Sequence, residues 1–145
     1  MAAFNKFNQF STDLSTKVHN LGSDAINIGL TNTAPVATNT VWANITEIAA
    51  GNGYSAGGAS CGVSGAGSSG TYTVTGTNVT WTASGGNIGP FEYIVLYNTT
   101  PTSPLKPLIG WWDYGSALTL NGTNGDSLTV KFNGGASTGT ILTVA

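Results

Sequence analysis

From residue 25 to the C-terminus, apolar residues recur with a period of two, interrupted by short Gly- and Asn-rich stretches. This alternation constrains the fold more than any other feature, because only an extended strand turns every second side chain to one face. Ile26, Ile28 and Leu30 alternate with Asn27, Gly29 and Thr31, the pattern of a half-buried strand. Tyr72 and Val74 alternate with threonines, Gly76-Thr77-Asn78 offers a turn, and Val79, Trp81 and Ala83 resume the alternation, which predicts a hairpin. Phe91–Tyr97 is apolar on both faces and predicts a central strand covered from both sides. Further strands are predicted at 108–114, 117–120, 128–132 and 140–144, with Asn121-Gly122, Asn124-Gly125 and Asn133-Gly134 as turns. Roughly seven to nine short strands predict a mainly β fold, a single antiparallel β-sandwich or jelly-roll-like domain over residues 23–145.

The opening segment has a different period. Phe4, Phe7, Phe10, Leu14, Val18 and Leu21 follow one another at intervals of three or four, an apolar stripe along a helix. The spacing predicts an amphipathic helix over residues 3–20 of about 27 Å, with Lys17 near its C-terminus and Gly22 as its C-cap. Residues 1–22 are thus an N-terminal helix or arm. Its stripe either packs on the domain's own sheet or docks on a neighbouring subunit. Two segments lack a clear period: 41–50 fits a helical turn or an extended piece, and 51–70 reads as a long surface loop with one short strand near Ser60–Ser64.

Composition bears on function. Four lysines, six acidic residues, one histidine and no arginine are scattered through 145 positions, whereas catalytic sites are built from clustered titratable groups. No enzyme activity, cofactor or small-molecule substrate is expected. Four dispersed lysines make no phosphate-binding face, which argues against nucleic acid. No stretch approaches ~20 apolar residues, so no membrane span is expected, and the first residues lack the apolar core of a secretory signal. Weak charge leaves little self-repulsion and favours association.

Individual candidates divide in the same way. Trp111-Trp112-Asp113-Tyr114 is the densest aromatic cluster, and adjacent tryptophans on a strand point to opposite faces. Its readings are core packing, a subunit interface, or a stacking platform for glycans. The candidate interface residues are Phe4, Phe7, Phe10, Leu14, Trp111, Trp112 and Tyr114. Glu92 is a single carboxyl and no mechanism by itself. His19 reads as a helix-terminal residue and Cys61 as a small packed one. One histidine and one cysteine make no metal site within the chain, and Asp113 with Asp126 lacks the spacing of a calcium loop. The glycine-rich tract 51–70 lacks the Lys-Ser/Thr of a phosphate loop.

Four stretches carry a resemblance: residues 30–40 (LTNTAPVATNT), 45–54 (ITEIAAGNGY), 87–97 (NIGPFEYIVLY) and 108–116 (LIGWWDYGS), together with the opening MAAFNKF. The chain resembles, over nearly its whole length, small virion structural proteins of tailed bacteriophages, most closely capsid decoration (cement) proteins. The resemblance implies a protein made in the host bacterial cytoplasm and carried on the capsid surface of the virion. Its implied partners are the major capsid protein and further copies of itself, a trimer being favoured. A tail tube, tip or fibre component is the alternative placement, and a glycan-binding β-sandwich module the alternative class.

Overall fold

The computed structural model describes residues 2–145. Ten strands carry the fold: β1 (Phe4–Lys6), β2 (Ile26–Thr31), β3 (Ala59–Ser60), β4 (Ser64–Ser68), β5 (Thr71–Thr77), β6 (Val79–Thr82), β7 (Ile88–Asn98), β8 (Leu108–Leu120), β9 (Ser127–Val130) and β10 (Thr138–Val144). One helix, α1 (Asn8–Ser15), follows β1, and 3₁₀ turns occupy Trp42–Asn44 and Phe132–Gly134. The strands form a five-stranded sheet (β1-β8-β7-β2-β3), a three-stranded sheet (β10-β5-β4) and a two-stranded ladder (β6-β9). All of these pairings are antiparallel. The protein is mainly β and sandwich-like, with one helix near its N-terminus.

β7 is the central strand that its apolar run predicts. Ile94 and Leu96 turn to one face and join the larger core with Ile26, Ile28, Leu30, Val74, Trp81 and Ile141. Val95 and Tyr97 turn to the other, where they meet Phe7, Trp42 and Leu108. The two smaller ladders cover the first face. The chain entering α1 and the turn at Trp42 cover the second. Trp42 stacks on Tyr97 with ring centroids 4.2 Å apart and planes 19° from parallel. Gly29 makes room for it, since a Cβ there would lie 2.3 Å from the indole.

The helical stripe divides differently from its spacing. Phe4 lies in β1, paired with Trp112, and Phe7 lies just before α1, so only Phe10 and Leu14 belong to the helix. A strand edge offering Trp111 and Trp112 provides the main-chain partner that an isolated helix would lack. The helix also ends early. Lys17 takes a left-handed conformation (φ 65°), its N–H reaches the Leu14 carbonyl (3.4 Å), and the Val18 N–H reaches that of Asp13 (2.8 Å). This is a Schellman closure without glycine, so α1 covers eight residues and not the expected eighteen, and Gly22 is not its cap.

Other boundaries also differ from expectation. β5 and β6 do not pair with each other: β5 lies between β4 and β10, and β6 pairs with β9. A single residue, Asn78, separates them, too few for a hairpin, and its amide donates to the carbonyls of Gly135 (3.1 Å) and Ala136 (3.0 Å) to hold the crossing between ladders. Gly76 is buried within β5 against Ile141, where a Cβ would lie 2.6 Å from that side chain. The predicted strands 108–114 and 117–120 are one, β8, passing through Gly115 at φ 91°. Residues 51–70 hold two strands, β3 and β4. Tyr54 from that segment reaches the core, where its hydroxyl accepts from the Leu30 N–H (3.0 Å) and donates to Glu47 (2.8 Å). Burial, with the Glu47 carboxylate adding to it, pushes the Tyr54 pKa far up.

Candidate interaction surface

The aromatic residues singled out by spacing converge on the β1–β8 edge. The ring of Phe4 lies 5.2 Å from that of Trp112, on a patch opened by Gly110, where a Cβ would be 2.2 Å from the phenylalanine. Phe7 is fully buried 4.5 Å from Trp111 on the opposite face. Adjacent tryptophans therefore do face opposite sides, but neither is left bare: both are half-buried. Phe10 enters the larger core, 5.2 Å from the ring of His19. Leu14 is half-buried, and Tyr114 is the exposed member of the set at 54 %. Phe7 and Phe10 are thus buried within the chain, and Phe4 is half-buried against Trp112.

Beyond Trp112 the sandwich opens. A hollow of about 210 Å³ lies between β8 and β9, walled by Ile94, Trp112, Leu128, Val130 and Phe132, with Tyr114 at its rim. A second, of about 270 Å³, adjoins it between Phe4, Trp112 and β10. Among the described residues, Lys131 is the one charged side chain lining either. The first hollow, apolar with an aromatic at its margin, suits a protein side chain or segment better than chemistry, while the second is also lined by Asn133, Thr140 and Thr143. Sequence spacing identified Trp112 and Tyr114. It could not identify Leu128, Val130 and Phe132, whose alternation marks a strand but not which sheet that strand leans on.

Titratable groups are engaged elsewhere. Asp113 accepts the Gly115 N–H (2.7 Å), and Asp126 accepts the Asn121 N–H (3.0 Å), so both carboxylates close local turns. Glu92 is half-buried on β7. Cys61 is fully buried with its thiol on the Ile26 carbonyl (3.2 Å), and burial pushes its pKa up to about 12. Among the described residues, no three of His, Cys, Asp and Glu gather into a group able to hold a metal, and no helix is long and apolar enough to cross a membrane.

His19 is buried in the chain beyond α1, not at the helix end as its spacing implies. Asn98 holds it: the amide oxygen accepts from the Thr100 N–H (3.0 Å), while the amide nitrogen donates to Asp24 (2.6 Å) and lies 3.1 Å from His19 Nδ1. In that amide orientation Nδ1 accepts, the role it has in a neutral ring, while Nε2 is buried with no hydrogen-bond partner among the described residues. Burial lowers the His19 pKa, opposed by the charges of Asp13 and Asp24. As pH falls, the unfolded chain takes up the ring proton first. The associated stability is fully present above about pH 6.5, the unfolded-chain value, and is lost as pH falls below it toward the lower folded-state pKa. Thermal melts from pH 7.5 to 5 should show this decline for the native chain and a shallower one for His19→Gln. Equal slopes would show that the ring does not titrate as described.

The fold and this surface define a small β-sandwich-like protein whose notable surface feature is aromatic and apolar. No protein-family model matches the chain, and no curated protein or solved structure is similar to it at a significant level.

Proposed function

We propose that this chain is a structural virion protein of a tailed bacteriophage that decorates and braces the outside of the capsid by binding the major capsid protein as a homo-oligomer. The observation that carries the reading is the open apolar hollow beside Trp112 and Tyr114, in a chain whose charged groups are sparse and dispersed. The resemblance of residues 30–40, 45–54, 87–97 and 108–116 to phage virion proteins gives that surface its partner. Binding linked to the assembled lattice stabilises the lattice, because a ligand that favours one state shifts the equilibrium toward it. Symmetry-related copies gripping several capsomers add weak contacts into a strong one. Trp111 and Trp112 each already carry an aromatic neighbour, which favours a protein contact over a sugar platform.

Purified protein is expected to bind expanded capsids saturably at a fixed copy number and to raise the temperature at which they burst. Tyr114→Asp, at an exposed position, should leave the fold intact by circular dichroism and weaken capsid binding at least tenfold. Immuno-electron microscopy that finds the protein only on tails would overturn the head placement. A Tyr114→Asp variant that binds normally would remove the hollow from the contact.

A further inference from the structure

We infer that two copies of this chain pair through the exposed edge of β4, antiparallel about a twofold axis centred on Ala66, to give a continuous six-stranded sheet. An edge strand presents unpaired main-chain N–H and C=O groups, and proteins guard such edges with charge, proline, bulges or brevity. The other outer strands have such defences. β1 is three residues long and ends in Lys6, and β3 has two residues. β10 is interrupted by a register shift between Thr140 and Leu142. β6 and β9 have four residues each, and β9 lies between Asp126 and Lys131. β4 has none: five residues, regular pairing to β5 along its length, no charge and no proline.

Charge and register both fit a second copy of this chain at that edge. No Asp, Glu, Lys, Arg or His occurs between Glu47 and Glu92, and β10 also lacks charge. The whole three-stranded sheet is therefore uncharged, and a second copy meets it without repulsion. An antiparallel edge is its own complement, so a copy of β4 matches it in length and hydrogen-bond spacing. Gly65 and Gly67 face inward beside Tyr72, where a Cβ at Gly65 would lie 2.1 Å from the hydroxyl. Ser64, Ala66 and Ser68 consequently face outward with Thr71, Thr73 and Thr75, their register partners. The joined sheet presents serine, alanine and threonine on its outer face. Five residues bury less than the ~1,200 Å² of a stable specific interface, so pairing is weak in solution and is reinforced where copies are held close on a lattice.

The isolated 145-residue chain, with no capsid present, is enough to test the pairing. Sedimentation across micromolar to millimolar concentration should show mass rising from 14.7 kDa toward twice that value. Ala66→Cys places two thiols directly opposite, with Cα atoms ~4.5–5.5 Å apart, within disulfide reach. Oxidation should convert most of it to a covalent dimer, while Thr123→Cys, on an exposed loop, should give little. Buried Cys61 serves as an internal control in both. Ala66→Glu should abolish the concentration dependence, and mixing it with Ala66→Lys should restore it. Ala66→Cys cross-linking no better than Thr123→Cys, or a dimer or trimer insensitive to Ala66→Glu, would overturn the pairing. Capsid binding that persists with Ala66→Glu, or fails with intact pairing, separates this inference from the proposed function.

Discussion

Phe7→Ala is expected to destabilise the protein by about 3–5 kcal/mol, the range for removing a fully buried aromatic side chain. The position is completely buried and packs with Trp42, Val95, Tyr97 and Leu108 under the five-stranded sheet. Its ring also lies against Trp111, 4.5 Å away. Removing it strips the cover from one face of the central strand and leaves a cavity too enclosed to collapse easily. For a domain of this size the loss corresponds to a fall in Tm of roughly 10 °C or more, readable by calorimetry or circular dichroism. Phe7→Asp should unfold the chain outright, because an isolated carboxylate there has no partner. If Phe7→Asp folds and melts normally but fails to assemble, this side chain sits on a neighbour and not in its own core.

Gly29→Ala is expected to cost at least 1–3 kcal/mol, the usual range for overpacking, and to lose most of that cost when Trp42 is absent. A methyl group at Gly29 would stand 2.3 Å from the indole Cη2 and 2.9 Å from Cζ2. Both are rigid ring atoms, and the indole is backed by Tyr97, so it cannot simply turn away. Trp42→Ala alone should cost about 3–5 kcal/mol by loss of buried surface. The double variant should be less unstable than the sum of the two, with a coupling of 1 kcal/mol or more from a double-mutant cycle. Additive losses would mean that the indole does not lie on Gly29. The glycine reads in the sequence as an ordinary alternating position of a strand; only its neighbour across the fold makes a larger residue intolerable.

The candidate surface was partly legible for the same reason. Trp112 and Tyr114 announce themselves as aromatics one turn of the strand pattern apart, and period two places them on a common face. The wall opposite them comes from β9 and the 3₁₀ turn after it, more than a dozen residues further along, and no local pattern states that juxtaposition. His19 shows the converse. Helical spacing puts it at a helix end, whereas its ring Nδ1 meets Asn98, 79 residues away, which in turn donates to Asp24.

By itself the amino-acid sequence determined the class: period-two alternation and Gly/Asn punctuation commit the chain to antiparallel strands, and β7 to the middle, because these are consequences of local geometry and of which side chains avoid water. Tertiary structure alone decided how strands were shared among three sheets, where α1 stops, and how Phe4, Phe7 and Phe10 are distributed over two faces. Those outcomes depend on main-chain partners and packing neighbours distant in sequence. Spacing that satisfies a helix also satisfies a strand followed by a turn when the edge of β8 is there to receive it.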